Sequence, residues 1–281
     1  MDKDIRTMHL ELWTDFPKAI ADIREEFGTR PLQFGDTPSG VVRNQVLFRG
    51  QSDSAWGLET TLERTTEKRY SIPEYLGRTD LALNEIESLT GRAWGLTPIG
   101  TTIDELRAHP DSVRPHLPWY EYLVYLRHHG FPSPLLDWTR SPYIAAYFAL
   151  EQKNDANRCS VFAFIETPDG GKTSGEDDVL VTSMGPYVTT HNRHFAQKAS
   201  YTIATRWSKD ANAHFFCSHR DVTPPLDGIQ DVFIKIAIPR SDRILALRQL
   251  EDCNISRYTL FQSEDSLVWS LGLRVIELDG N

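Results

Sequence analysis

The chain has 281 residues, of which 40% are hydrophobic and 25% are charged. These values are typical of a globular protein with its own core, and they argue against a disordered, fibrous or membrane-spanning chain. The formal net charge of −9 disfavours non-specific binding to the phosphates of nucleic acid. A single nucleotide, by contrast, needs only one or two well-placed arginines.

Cysteine use and the N-terminus indicate a reducing compartment. Cys159, Cys217 and Cys253 are far apart, and their number and spacing suit neither a zinc site nor a redox dithiol, so we expect free thiols without a disulfide partner. Residues 1–6 are charged and contain no apolar run, which indicates neither a secretory signal nor a membrane anchor. We therefore expect a cytoplasmic protein without a membrane partner.

The N-terminal region is predicted to contain one helix and one strand. Apolar residues at helical spacing predict a helix over Leu12–Phe27, followed by a turn-rich stretch over residues 29–40. Val46-Leu47-Phe48 predicts a buried strand, which places Arg49 at the strand end.

The middle of the chain is predicted to be mainly helical, with irregular connections. The polar stretch 58–80 is expected to cross the surface without regular structure, and a helix is expected over residues 81–94. Three prolines mark residues 108–118 as a connector, and a helical stripe predicts a helix over Trp119–His128. Residues 131–141 are predicted as a loop.

The rest of the chain mixes helices and strands. Ser141 is a suitable N-cap for a buried helix over Pro142–Leu150, and residues 169–178 form a glycine-rich acidic loop. Strands are predicted at Ser160–Ile165, Val179–Thr182, Tyr201–Thr205 and Val232–Ile238, and helices at Ser241–Glu251 and Glu264–Leu271. This order predicts an α+β fold with a mixed, mainly antiparallel sheet flanked by helices.

No repeat or linker divides the sequence. We therefore expect one domain over residues 1–281, with an N-terminal helix and lead-in over residues 1–40 and a core over residues 41–271.

Arg49 is the most informative single residue. Its guanidinium is a permanent cation with a planar fork of donors, and such a group at the end of a buried strand requires an anionic or planar partner. Gly50, the next residue, allows a ligand or a second backbone to approach closely. The partner is either a ligand or an internal carboxylate such as Asp137.

The segment 126–142 concentrates polar groups between two helices. His128, His129 and Asp137 do not suggest a metal site, because adjacent helical histidines point about 100° apart, and no metal is expected. Ser141 is already explained as an N-cap. Farther along the chain, Gln197 precedes a predicted strand together with the aromatic Tyr201, a pattern suited to holding a planar amide or base.

These stretches together resemble the FRG domain family, which is named for a Phe-Arg-Gly tripeptide. The family pattern falls on Phe48–Gln51, on residues 127–139 and on Ser141-Pro142 with the helix Ala145–Ala149, and the resemblance extends over about residues 41–271. The chain departs from the pattern at three positions. Arg127 stands in place of a glutamine, His129 in place of a tyrosine and Pro134 in place of an arginine.

The order of these parts is similar to that of ADP-ribosyltransferases, so the resemblance implies an ADP-ribosyltransferase-like fold and NAD as substrate. In that arrangement Arg49 grips a phosphate or ribose of NAD, and Thr139 or Ser141 holds the nicotinamide ribose. Trp138 or Tyr201 stacks on the nicotinamide. Gln51 and His128 complete the predicted site, as a binding and a catalytic residue respectively.

Gln197 stands where that arrangement needs a glutamine or glutamate. Cleavage of the glycosidic bond builds positive charge on the ribose, which a carboxylate stabilises and a neutral amide does not. Either another acid supplies the charge, with Asp137 and Glu264 as candidates, or the domain binds the nucleotide without cleaving it.

The sequence therefore predicts a nucleotide-binding domain with NAD as ligand. If it is an enzyme, it is an ADP-ribosyltransferase or NAD glycohydrolase, with a protein or nucleic acid acceptor in the case of transfer. The family resemblance adds a bacterial or phage origin and a role in phage defence or as a toxin. Two alternatives stay open: a non-enzymatic sensor or interaction module with a structural Arg49–Asp137 ion pair, and a nuclease that uses His128 or His129 as acid and base.

Overall fold

The computed structural model describes residues 5–34, 37–109, 116–168, 172, 178–185, 188, 192–222 and 231–278, without the side chains of residues 31–34, 37–39 and 192. The strands in these ranges are β1 Arg6–His9, β2 Thr29–Phe34, β3 Thr37–Arg43, β4 Val46–Gln51, β5 Leu136–Thr139, β6 Arg158–Glu166, β7 Leu180–Ser183, β8 Ala199–Ser208, β9 Ala213–Phe216 and β10 Asp231–Pro239.

Most of these strands form one sheet in the order β1-β10-β6-β4-β5-β8-β7, with β9 paired to β8, while β2 and β3 form a separate hairpin. Among the described strands, β1 and β10 are the only parallel neighbours. The prediction of an α+β fold with a mixed, mainly antiparallel sheet flanked by helices is confirmed.

The described α-helices are α1 Phe16–Phe27, α2 Thr61–Thr65, α3 Ile72–Thr90, α4 Ile99–Ala108, α5 Tyr120–His128, α6 Pro142–Leu150, α7 Asn192–Ala196, α8 Arg243–Asp252, α9 Arg257–Phe261 and α10 Glu264–Gly272. A π-helical turn over Leu273–Leu278 continues α10. Among the described residues, no helix is both long enough and apolar enough to cross a bilayer.

Alternation along β4 and β5 assigns their residues to two faces of the sheet. Phe48 packs with residues of α1, α6 and α8 on one face, whereas Leu47 packs with Trp138 and Phe164 on the other. Because Phe48 lies directly opposite Thr139, Thr139 belongs to the first face. Asp137 also belongs to this face, since it lies two residues away on the same strand.

Helix α6 lies against the first face and is fixed at both ends. At its N-terminus the Ser141 hydroxyl accepts a hydrogen bond from the Ile144 amide at 3.4 Å. At its C-terminus Arg243 donates to the carbonyl oxygens of Leu150 and Glu151, each at 2.8 Å. These bonds satisfy backbone acceptors that a helix end otherwise leaves unpaired.

Three predicted irregular segments contain regular structure. Residues 29–40 contribute to the β2–β3 hairpin, residues 58–80 contain α2 and the start of α3, and residues 131–141 contain β5. The predicted helix over residues 81–94 is the C-terminal part of α3, which ends at Thr90 because Gly91 adopts a left-handed conformation, with φ of 67°. The predicted connector at residues 108–118 and the acidic loop at residues 169–178 lie largely outside the described residues.

Candidate functional site

A cavity of about 380 Å³ opens on the first face of the sheet, where β4, β5 and β8 lie side by side. Its size is within the range of small-molecule sites. The sheet contributes Phe48, Asp137, Thr139, Ala199 and Tyr201, and the flanking helices contribute Arg127, His128, Phe148, Arg193 and Phe261.

Asp137 and Arg127 form a forked ion pair in this cavity. Arg127 Nη2 lies 2.5 Å from Asp137 Oδ2 and Nε lies 3.2 Å from Oδ1. Burial alone would raise the pKa of Asp137, but Arg127 and then Arg49 act in the opposite direction, and the net pKa is below its ordinary value. The carboxylate therefore stays ionised while 41% of its side chain remains exposed.

Arg49 contacts Asp137 from a second direction. Its Nη1 donates to the Asp137 backbone oxygen at 2.8 Å and lies 3.8 Å from Oδ2. The guanidinium can reach this position from the opposite face because β4 and β5 pair only at Phe48 and Thr139 and leave the sheet open beyond that point. Burial lowers the pKa of Arg49 to about 10, so the group is still a cation at neutral pH. The expected Arg49–Asp137 ion pair is thus present, but at a longer distance than the Arg127–Asp137 pair.

His128 and Tyr201 form a second polar pair on the cavity wall. The Tyr201 hydroxyl lies 2.8 Å from His128 Nε2, and His194 stacks on the Tyr201 ring at 5.8 Å. Burial raises the pKa of Tyr201, so its hydroxyl is neutral and remains available for this hydrogen bond. His129 follows directly after α5, is exposed and does not line the cavity. Of the two histidines named for the nuclease alternative, His128 lines this cavity and His129 does not.

One wall of the cavity, formed by α6, α7 and α9, is aromatic and basic. The Phe261 ring meets Phe148 edge to face at 6.1 Å, and the Arg193 guanidinium lies 5.3 Å from the Phe261 ring centre. Gln197 joins this wall, since its Nε2 donates to the Leu260 oxygen at 3.2 Å. An amide held in this way orients neighbouring groups but adds no negative charge.

Thr139 lines the cavity, but its hydroxyl is already engaged. It donates to the Gln197 backbone oxygen at 2.7 Å and accepts from the Ser141 amide at 3.1 Å. Thr139 therefore ties the Gln197 turn to β5, which fixes the cavity rim. A role in holding a ribose would require the hydroxyl to exchange one of these bonds.

Four residues that were predicted to act in the site have other positions or other contacts in the structure. Ser141 does not line the cavity and serves as the N-cap of α6, and Gln51 donates through Nε2 to the Gly57 oxygen at 2.7 Å. Glu264 is exposed at the start of α10, away from the cavity.

Trp138 is the fourth, because strand alternation turns its indole to the opposite face. There its Nε1 donates to Thr202 Oγ1 at 2.8 Å and its ring packs near Phe164. Although Trp138 borders the cavity, a ring held in the core is not placed to stack on nicotinamide.

Sequence reasoning missed Arg127, Arg193 and Phe261 as site residues. Arg127 carried a usable signal, because it lies on the same helical stripe as the half-buried Tyr120 and the buried Leu123, where a cation needs an internal partner. Arg193 and Phe261 are brought together by packing of α7 against α9, and no local pattern indicates that contact.

Acids and metal ligands are sparse in this region. Among the described lining residues Asp137 is the only acid, so three arginines and one carboxylate give a formal charge of +2 without counting histidine. Across the described part of the chain, no group of three or more His, Cys, Asp or Glu side chains is placed to hold a metal ion. Cys159, Cys217 and Cys253 are free thiols in the structure.

Comparison with known proteins agrees with the tripeptide and the segment around Asp137. Residues 44–158 match the family model of the FRG domain, a range that includes Phe48–Gln51, residues 127–139 and α6. The stretch from Arg193 to Tyr201 lies beyond it. No curated protein and no solved structure matches the chain, so the likeness to ADP-ribosyltransferases stays a prediction. The chain is therefore similar to the FRG domain over residues 44–158.

Proposed function

We propose that this protein binds a nucleotide in the cavity between β4, β5 and β8, with NAD as the candidate ligand. The observation that carries the proposal is the convergence of Arg49, Arg127 and Arg193 on a cavity with a single described carboxylate. This excess of positive charge lies in a chain whose formal net charge is −9. A cavity of this charge favours an anion, and guanidinium groups bind phosphate oxygens through paired donors.

The aromatic side of the cavity supports a ligand that also carries a planar ring. Phe148 and Phe261 present ring surface beside the Arg193 guanidinium. A nucleotide could place its phosphates on the arginine side of the cavity, near Arg49, and its base on the aromatic side, near Phe261. A simple inorganic anion would use only the first half.

Cleavage of NAD is the second candidate, and the ionised state of Asp137 favours it. A partly exposed carboxylate in the cavity is the group that can stabilise positive charge developing on a ribose. The forked pair with Arg127 offsets part of that negative charge. We therefore place binding first, and ADP-ribosyltransferase or NAD glycohydrolase activity second.

Equilibrium dialysis with labelled NAD, combined with chromatography of released nicotinamide, separates the two candidates. Binding without release supports a binding domain, and release that Asp137→Asn abolishes while binding persists supports cleavage. If wild-type protein neither binds NAD nor releases nicotinamide, the proposed ligand is wrong.

The family resemblance extends the proposal to phage defence or toxicity. The corresponding test is expression in a bacterial host, with phage plating and growth as the two readouts. Protection or growth arrest that depends on Arg49, at equal protein level, would agree with the extension. An Arg49→Gln variant that acts like wild type in both assays would remove Arg49 from the cellular role.

A further inference from the structure

The C-terminal helix exposes an apolar face. Along α10 and the π-helical turn that follows, five aliphatic side chains point outward with between 38% and 74% of their surface exposed: Leu267, Val268, Leu271, Val275 and Ile276. We call this set the C-terminal stripe. Single exposed aliphatics are common on protein surfaces, whereas a contiguous apolar row on one helix is a candidate contact surface.

The opposite side of the same helix is also partly apolar. Trp269 and Leu273 pack inward against the core cluster, next to the buried serines Ser266 and Ser270. Both serine hydroxyls are satisfied, since Ser266 donates to the Ser263 oxygen at 2.7 Å and Ser270 donates to the Ser266 oxygen at 2.8 Å. A helix that is apolar on its inner and outer sides is typical of a buried helix, so the stripe is expected to be covered.

We propose that the C-terminal stripe is a homodimer interface, in which the helices of two copies pack antiparallel about a two-fold axis near Leu271. Under that symmetry Leu267 faces Ile276 of the second copy, and Val268 faces its Val275. The stripe therefore maps onto itself when reversed, which an isologous interface requires. Antiparallel helices also place their dipoles in the favourable orientation.

The area agrees with a weak dimer. The five side chains expose on the order of 300 Å² of apolar surface on one face. In known interfaces apolar atoms make up about 60% of the buried area, so each copy would contribute about 500 Å² in total. Two copies would then bury about 1,000 Å² together, which is the lower limit for a specific interface. Arg274, beside the stripe, is neutralised by Glu251 at 2.6 Å and places no unpaired cation at the contact.

Sedimentation velocity over protein concentrations from about 1 to about 100 μM tests the proposal, because a weak dimer dissociates in this range. We expect the mean mass to rise from the monomer value of 32.1 kDa towards twice that value. Val268→Glu and Leu271→Glu should each weaken dimerisation at least about tenfold. Leu89→Glu is the matched control, since Leu89 is 89% exposed on α3, and it should leave dimerisation unchanged.

Cross-linking tests the symmetry independently. In a Cys253→Ser background, which removes the exposed native thiol, Leu271→Cys should form a disulfide between two copies, and Leu89→Cys should not. Thermal unfolding midpoints close to wild type would show that the exposed substitutions leave the fold intact. A protein that stays monomeric throughout, or a dimer that Val268→Glu leaves intact, would overturn the proposal. The stripe does not line the nucleotide cavity, so a failure to bind NAD would not bear on this result.

Discussion

Arg127 is the residue whose role changes most between sequence and structure. By resemblance it is a departure from the family glutamine, yet it makes the closest contact with Asp137. A neutral glutamine at position 127 of this chain would leave Arg49 as the main cation beside the carboxylate. In this chain two guanidinium groups share Asp137, which keeps it ionised and fixes its orientation.

We predict that Arg127→Gln lowers the free energy of unfolding by about 2 kcal/mol. A fully buried pair would cost more, about 3–5 kcal/mol, but solvent reaches Asp137 and screens it. Urea unfolding of Arg127→Gln, Asp137→Asn and the double variant measures the coupling. Arg107→Gln, which removes an exposed cation, should change stability by less than about 0.5 kcal/mol. Strictly additive losses in the double variant would show that the pair is not coupled.

His219 lies behind the site on the other face of the sheet. The Thr202 hydroxyl accepts a hydrogen bond from the Trp138 indole, and it can then donate to His219 Nε2 at 2.8 Å, which requires that nitrogen to be unprotonated. Burial, followed by the charge of Arg49, lowers the pKa of His219 to about 3. The folded protein therefore holds a neutral imidazole.

We predict that stability falls as the pH drops from about 6.5 towards 3, because the unfolded chain protonates His219 in this range and the folded chain does not. The slope is at most about 1.4 kcal/mol per pH unit from this group. Asp137, with its lowered pKa, adds a further loss only below about pH 4. His219→Gln should flatten the slope between about pH 6.5 and 4 in urea titrations, and an unchanged slope would contradict this account.

At the scale of elements, Gly50 explains how α6 lies so close to β4. A Cβ at this position would lie 1.9 Å from the Ala145 carbonyl oxygen, inside the helix backbone. The sequence allowed either a ligand or a second backbone near Gly50, and the structure places the backbone of α6 there. Glycine in the tripeptide therefore brings the helix carrying Phe148 up to the cavity.

We predict that Gly50→Ala destabilises the fold by about 1–3 kcal/mol, since α6 must move to admit the methyl group. Gly77→Ala is the control, because Gly77 lies within α3, no described atom lies within 4 Å of the place its methyl group would take, and alanine is the better helix former. That control should gain up to about 1 kcal/mol. Thermal unfolding of both variants gives the comparison, and a neutral Gly50→Ala would mean that the helix contact is not tight.

Helices and longer strands with strong local signals were mostly predictable, whereas short elements without such a signal, such as β5, were not. The helix after Ser141 follows from an N-cap, a proline and an apolar stripe, and it is confirmed over Pro142–Leu150. Strand β5 has four residues among prolines and glycine, and it exists because β4 and β8 flank it. The start of α3 could have been found, because Ser71 and Glu74 form a capping box around Pro73.

Only part of the candidate site could be predicted, because some of its residues carry a local sequence signal and others do not. Arg49 and Asp137 could be named from their chemistry, and both line the cavity. The side-chain direction of Trp138 depends on the register of β5, which the sequence did not reveal. Arg193 and Phe261 meet across more than sixty residues of chain, and only the packed structure brings them to one wall.

At the scale of the whole molecule, charge is unevenly distributed. The chain is acidic overall, with a formal net charge of −9. Among the described cavities, however, the one around Asp137 is lined by the most arginines. An acidic surface repels extended nucleic acid, while a local basic cavity attracts a small phosphate ligand. This contrast is the basis for proposing a nucleotide and not a duplex as the ligand.

Isothermal titration calorimetry with NAD tests the central claim most directly, using wild type, Arg49→Gln and the charge-matched control Arg107→Gln. We predict binding by wild type and by Arg107→Gln with equal affinity, and a loss of at least about tenfold for Arg49→Gln, since the latter removes a charge-assisted contact worth about 1.5–3 kcal/mol. Equal affinity of Arg49→Gln and wild type, with both folded, would contradict the assignment of Arg49 to the ligand.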